Sequence, residues 1–395
     1  MVERPVLVIV GAGIAGLTAA LTVAEAGFDA VVVERSAELL VIGAGIQLSP
    51  NAGRVLRALG LDAALDEVAT RPTAIAVRNG VSGHLTTTLP AAAFEQRYGF
   101  PYRVIHRADL QAVLVAAVER HPHARLVLGA EIADVLPRDD GLYVRIRRAE
   151  GSEIVSAAGL LGADGVWSET RGRIANASAA RPTGRTAWRT VIPIDDTPSG
   201  TPADRVGLFL GPDAHVVVYP VARGAALNVV AIVEEPFDKH GWATHANPHR
   251  AAERFNGWCI DIRSLVNAPT PWQKFAMHVV DPTGPWVSGR IALIGDAAHA
   301  MVPFLAQGGA MAIEDAAVLG RSLAAHPDDV PAAFAAYEAA RKPRVSRLWK
   351  AAFRTGEHYH LTGLMAAARD LVLKAIGERF LIARNDWIYR WSPDA

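Results

Sequence analysis

Five apolar residues, Val6-Leu-Val-Ile-Val10, run without polar interruption into Gly11, which reads as a strand buried on both faces. A helical pattern from the glycines to about Ala26 and a second apolar run, Ala30-Val-Val-Val33, complete a strand-helix-strand unit of a parallel, doubly wound sheet. From about 180 to 285 the pattern changes to period-two alternation, as in His215-Val-Val-Val-Tyr219 and Leu227-Asn-Val-Val-Ala-Ile232, punctuated by Gly and Pro. This stretch predicts a mostly antiparallel sheet. At 291–294 a short apolar strand returns, followed by Ala-rich helical patterns to the C-terminus. The expected fold is α/β: a Rossmann-like nucleotide domain over 1–75, 102–178 and 286–340, an inserted antiparallel β-sheet substrate domain over 76–101 and 179–285, and a helical segment over 341–395.

Composition narrows the function classes. Lys+Arg and Asp+Glu number 40 each, so no broad basic field exists to attract a phosphate backbone, and nucleic acid is not an expected partner. Cys259 is the only cysteine, which excludes an internal disulfide or thiolate cluster and suits a reducing compartment. The N-terminus lacks a cationic start with a cleavable apolar segment, and the longest apolar stretches are broken by glycines, Pro303, Asp296 and His299. A cytoplasmic protein without stable membrane association, monomeric or homodimeric, is expected.

Three segments carry nucleotide chemistry. Gly11-Ala-Gly13-Ile-Ala-Gly16 follows the first strand and opens the first helix, the context in which G-x-G-x-x-G supports a pyrophosphate at a helix N-terminus. Glu34, at the end of the second strand, can accept hydrogen bonds from a ribose. The pattern fits NAD and FAD alike. Leu160-Leu-Gly-Ala-Asp164-Gly165 is an apolar strand ending in Asp-Gly, where Asp164 reads either as a nucleotide contact or as a cap of the following turn. Ile291-Ala-Leu-Ile-Gly295-Asp296 ends a strand at the ligand crevice, and Gly308-Gly309 opens a helix whose positive pole can face an anion.

In this order and spacing the three segments resemble the class A flavoprotein monooxygenases, the single-component FAD-dependent aromatic hydroxylases, over almost the whole chain. Gly43-Ala-Gly-Ile-Gln-Leu-Ser-Pro-Asn51, Ile105-His-Arg107-Ala-Asp-Leu-Gln111 and Tyr337-Glu-Ala-Ala-Arg341-Lys-Pro-Arg344 match too, and the first two look most like the salicylate hydroxylase branch. The resemblance implies FAD contacts at Gly11, Gly13, Ala15, Gly16, Glu34, Arg35, Gly45, Gln47, Arg107, Gln111, Leu128, Asp164, Asp296, Pro303, Gly308 and Gly309. It also implies NADH or NADPH as co-substrate, O2 activated at flavin C4a, and oxygen transfer to a small aromatic substrate. A second Rossmann fingerprint and a redox cysteine pair are absent, which argues against a disulfide reductase.

On the strand 215–219, alternation places His215, Val217 and Tyr219 on one face, a stretch similar to the substrate-pocket strand of salicylate and hydroxybenzoate hydroxylases. His215 reads as the acceptor of a phenolic proton or as a pocket wall, with Tyr219 beside it, since a neutral imidazole ordinarily titrates in the useful range. Arg189 is a candidate for a substrate carboxylate or the flavin edge. Gln47 stands where 6-hydroxynicotinate hydroxylase carries a histidine, which disfavours a pyridine substrate. His240, His245 and His249 lack a supporting ligand set, and Asn247-Pro248 reads as a helix cap, so no metal is expected. A salicylate-like acid is the first substrate expectation and 3-hydroxybenzoate or another phenolic acid the next, with a 6-hydroxynicotinate-type hydroxylase as a further alternative. A flavin oxidase or dehydrogenase and a non-catalytic flavin-binding regulator remain as alternatives.

Overall fold

The computed structural model describes residues 4–39, 45–199, 201–235 and 244–393. The Val6–Val10 run is an interior strand of a sheet with six strands among the described residues, and Leu7, Val8 and Ile9 have no exposed surface, as a strand covered on both faces requires. It pairs in parallel with Asp29–Val33 on one side and Gly159–Gly162 on the other. Ala124–Val127 and Ile291–Leu293 extend the sheet in parallel, and Val287–Ser288 closes one edge antiparallel. The chain leaves this sheet after Gly162 and rejoins it only at Val287.

The helix Ile14–Glu25 is buried along nearly its whole length between the sheet and the helix Gly308–Ala325. Close contact of the two helices needs a residue without a side chain: a Cβ on Gly320 would stand 2.8 Å from the Thr22 carbonyl oxygen. This packing brings the N-termini of both helices toward the same end of the sheet, the carboxyl end of its parallel strands.

The larger sheet has eight strands among the described residues, antiparallel except where Val206–Gly211 pairs with Ala74–Asn79. Its two faces separate along Ala214–Val221 as period-two alternation demands. Ala214, Val216 and Val218 pack under Phe255, Trp258 and Ile262 on one side. On the other, Tyr219 and Val221 meet Tyr102 and Val104, while Val230 and Ile232 of the neighbouring strand meet Val302 and Phe304 from the nucleotide unit. The long helix Val330–Tyr359 crosses behind both units and ends at His360. No helix among the described residues is long and apolar enough to cross a membrane.

Candidate active site

The glycine turn is assembled by backbone constraints and leaves one glycine unexplained by the protein itself. Gly11 has φ +101° and a Cβ there would lie 2.7 Å from the Ala163 carbonyl oxygen; a Cβ on Gly16 would overlap the Gly11 carbonyl. Both are required by the fold. Gly13 is different: its φ of −78° suits any residue and a Cβ would meet nothing within 4 Å. As the N-cap of Ile14–Glu25 it makes no side-chain cap, so the open amides of this helix end face free space where a pyrophosphate could approach. That space suits the pyrophosphate of a dinucleotide.

Other residues expected at the nucleotide converge on this turn. Glu34 Oε2 accepts from the Ala12 N–H at 2.9 Å and Oε1 from the Ser36 N–H at 3.0 Å, leaving lone pairs for a ribose. Arg35 is exposed beside it, and half-exposed Leu128 follows the strand whose Val127 carbonyl accepts from Glu34. Gln111 donates to the Ala12 carbonyl at 2.7 Å, one turn along its helix from half-buried Arg107. Gly295, at φ +61°, brings the Asp296 turn against Ala15 and Ala312, linking the first and last segments. Asp296 is the exposed residue in an otherwise buried stretch, which leaves its side chain open to a ligand.

Asp164 behaves as the cap reading describes. Its Oδ1 accepts from the Ser168 hydroxyl at 2.6 Å and its Oδ2 from the Thr170 N–H and hydroxyl at 3.0 and 2.9 Å, so both oxygens serve its own turn. The predicted helix start there is a short 3-10 turn, Thr170–Arg173.

Two cofactor-loop glycines also have packing reasons. A Cβ on Gly45 would overlap the Tyr219 ring, and one on Gly309 would lie 2.5 Å from Ile46. Gly308 faces open space apart from Met301 at 4.0 Å. Gln47 Oε1 accepts from the Tyr102 hydroxyl at 2.6 Å, and the Gly45 N–H donates to Asn228 Oδ1 at 2.8 Å. The strand Gly45–Leu48 thereby joins the nucleotide unit to the large sheet; Gly43 of the same motif lies outside the described residues.

His215, Arg189 and Tyr219 share the sheet face turned toward the cofactor loops. His215 is buried, its ring centroid 5.1 Å from Phe304 in the Pro303–Leu305 turn that precedes Gly308. Its Nδ1 lies 2.9 Å from His360 Nε2, a partner 145 residues away that no local pattern indicates. The expectation of an ordinary histidine range fails here, because burial and then the neighbouring His360 and Arg185 push the His215 imidazolium well down. Burial pushes the Tyr219 hydroxyl up, so it stays a donor at neutral pH. Arg189 lies beside the Phe275 ring with its Nε unpartnered, and among the described residues no carboxylate pairs with it. Burial lowers its pKa, which marks an uncompensated cation that an anionic ligand would relieve.

Behind the loops lies a buried ionic network that sequence reasoning left unassigned. Arg341 donates to Asp315 and Glu314, both at 2.7 Å; Arg344 also holds Glu314, and His299 Nε2 lies 2.6 Å from Asp315 Oδ2. Asn51 donates to Glu314 at 2.7 Å and to Gln307 at 2.9 Å, and the Gly295 N–H donates to Asp315. The network therefore props both Gly308 and Asp296. Elsewhere, a groove of about 550 Å³ between Asn79–Leu85 and the helix Gly363–Ile376 is lined by none of the predicted residues. Of the three histidines weighed as metal ligands, the backbone of His245 lies in a described strand, His249 is exposed, and His240 is outside the described residues.

A glycine turn with an open pyrophosphate cradle, set against a second sheet that lends its buried polar face, defines an FAD-binding flavoprotein of the single-component hydroxylase type. The chain belongs to the FAD-binding-domain family, whose model, described as FAD binding domain, matches residues 3–352. The 3-hydroxybenzoate 6-hydroxylase of Polaromonas naphthalenivorans (strain CJ2) is 33% identical over 392 residues, covering 99% of this chain and 96% of its own. The 3-amino-4-hydroxybenzoate 2-monooxygenase PtnB3 of Streptomyces platensis is 38% identical over 361 residues, covering 91% and 89%. Among solved structures, HpxO of Klebsiella pneumoniae complexed with FAD and uric acid superposes with a TM-score of 0.84 at 26% identity, covering 96% of this chain and 95% of that one.

Proposed function

We propose that the protein hydroxylates a small phenolic acid, with the hydroxyl and carboxylate on non-adjacent ring positions, meta or para to each other, using NADH or NADPH and O2. The observation that carries this reading is the half-buried Arg189, whose Nε is buried without a partner and which no carboxylate among the described residues pairs with, on the face that also presents His215 and Tyr219. Register supports the polarity. Ala187 pairs with Ile232, which pairs with His215, whereas Arg189 pairs with Val230, which pairs with Val217. His215 and Arg189 are thus two strands apart and offset by two residues, which separates their Cα atoms by about 12 Å. Side chains converging from that distance suit a meta- or para-hydroxybenzoate. In salicylate the two groups are adjacent, so the reading moves from salicylate to the 3-hydroxybenzoate type, in keeping with the names of the relatives.

The residues present fit FAD. Gly11, Gly13, Ala15 and Gly16, with Glu34, Arg35 and Leu128, would hold its ADP portion. Arg107, Gln111, Asp296, Pro303, Gly308 and Gly309, with Gly45 and Gln47, would hold the ribityl chain and ring, while Asp164 shapes the adjoining turn. When bound, FAD would supply the reducing equivalents, taken from the nicotinamide, that activate O2 for oxygen transfer. The chain supplies the rest: Arg189 orients the carboxylate, Tyr219 donates a hydrogen bond, and His215 Nε2 takes the phenolic proton, which raises electron density on the ring. Phe304 and the apolar sheet face exclude water. The test is NAD(P)H oxidation by the purified holoprotein with salicylate, 3-hydroxybenzoate and 4-hydroxybenzoate. Strong stimulation and ring hydroxylation with a meta- or para-hydroxybenzoate is expected, and stimulation by salicylate alone would overturn the proposed polarity.

A further inference from the structure

We propose that His360 is a positioning residue that carries the phenolic proton from His215 to the Glu234 carboxylate at the surface, making the buried base the first member of a proton path. The inference rests on the phenolic-substrate reading above. Strand pairing sets the direction of the path. His215 pairs with Ile232, and Glu234 follows two residues later on the same face, at the solvent end of its strand. His360, which caps the long helix through a 3.1 Å bond from its N–H to the Gly356 carbonyl, fills the space between them.

Its Nε2 lies 2.9 Å from His215 Nδ1, and its Nδ1, which has no hydrogen-bond partner among the described residues, lies 3.6 Å from the carboxylate oxygen Glu234 Oε1. The His360 side chain is 5% exposed and that of Glu234 is 45% exposed, so the three groups run from the interior to solvent. Arg185 donates to the same Glu234 oxygen at 2.8 Å and fixes the carboxylate toward the ring. Asp213 also acts on His360, the Phe304 ring lies 5.9 Å from its ring, and Arg369 donates to the carbonyls of the preceding His358 and Tyr359.

A lone buried histidine would be a poor proton store here. Burial and then Arg185 disfavour an imidazolium at His360, and burial, His360 and Arg185 disfavour one at His215. A relay avoids storing the charge. With both rings neutral and protonated on Nδ1, His215 donates to His360 Nε2, and His360 points its N–H at Glu234. The substrate O–H breaks as the His215 Nε2–H forms; the His215 Nδ1–H breaks as the His360 Nε2–H forms; the His360 Nδ1–H passes to Glu234 and then to water. The substrate loses one proton, solvent gains one, and no electrons change hands. The rings end as the opposite tautomers, and return of a proton when the product regains its hydroxyl resets them.

The test mixes holoenzyme with 3-hydroxybenzoate in weakly buffered solution containing a pH indicator, following flavin absorbance for binding and indicator colour for proton release. Glu234→Gln keeps the bond from Arg185 and alters only an exposed group, so it tests the path even if His360→Ala folds poorly. Wild type should release a proton on binding. Both variants should keep the flavin change while release slows by at least ~10-fold, and added imidazole should restore release in His360→Ala. Release at the wild-type rate in both variants overturns the relay, as does a wild-type flavin change with no proton release between about pH 6 and 9. Absence of a flavin change with any hydroxybenzoate instead overturns the phenolic reading, and the relay with it.

Discussion

Replacing Arg341 with Met tests whether the buried network is what holds the cofactor loops. Arg341 is 1% exposed and bridges Glu314 and Asp315, both fully buried. Removing one partner of a buried ion pair costs about 3–5 kcal/mol, and the lower end applies here because Arg344 still holds Glu314 and His299 still holds Asp315. For 395 residues at about 2.1 cal/mol/K each, the unfolding entropy is about 0.8 kcal/mol/K, so a loss of about 3 kcal/mol lowers Tm by about 4 °C. The pH dependence has a definite sign. Burial alone would raise the Asp315 carboxyl, but His299 and Arg341 hold it below its ordinary value. Its contribution is therefore complete above the unfolded carboxyl pKa of about 4 and is lost as pH falls through the folded value. The gap between wild type and Arg341→Met should narrow below about pH 4. Differential scanning fluorimetry across pH, with flavin content measured in parallel, supplies the assay. Arg341→Met/Asp315→Asn should be less destabilised than the sum of the two single variants, because the second change removes a stranded charge. Strict additivity, or a loss of Tm under about 1 °C, would refute the network's role.

Three further outcomes follow from the site. Gly13→Val should fold with an unchanged apo Tm yet purify flavin-poor, because no protein atom lies within 4 Å of the new Cβ; full flavin content by absorbance would place the nucleotide elsewhere. Arg189→Met should weaken binding of a hydroxybenzoate by roughly 10–100-fold, the effect of losing a charged hydrogen bond of about 1.5–3 kcal/mol, while FAD content holds; equal affinity for benzoates and for uncharged phenols in wild type would refute the anchor. Gly45→Ala should displace the Tyr219 ring and lower both Tm and coupling, and a variant with wild-type values of each would show that the overlap relaxes freely.

The nucleotide unit was legible because its signals are local. The run Val6–Val10, the glycines at 11, 13 and 16, and Asp296 each announce a backbone geometry within a few residues, and the strand and helix positions follow. The face shared by His215 and Tyr219 was legible for the same reason, since alternation is a property of the strand alone. What lay beyond reach depends on distant partners. Nothing near position 360 signals that a helix cap meets His215, and the Arg341 motif explains itself only once Glu314 and Asp315 are seen unexposed behind the loop. Gly45 has a packing cause that the sequence does not signal, because Tyr219 occupies the space a side chain would need.

The most direct test of the account is the fate of isotopically labelled O2. Holoenzyme given NADH or NADPH, 3-hydroxybenzoate and heavy-oxygen O2 should form a dihydroxybenzoate carrying one labelled oxygen atom, with product approaching the nicotinamide consumed. Label-free product, or nicotinamide oxidised with H2O2 as the sole oxygen product for every hydroxybenzoate tried, would contradict the assignment of this site to ring hydroxylation.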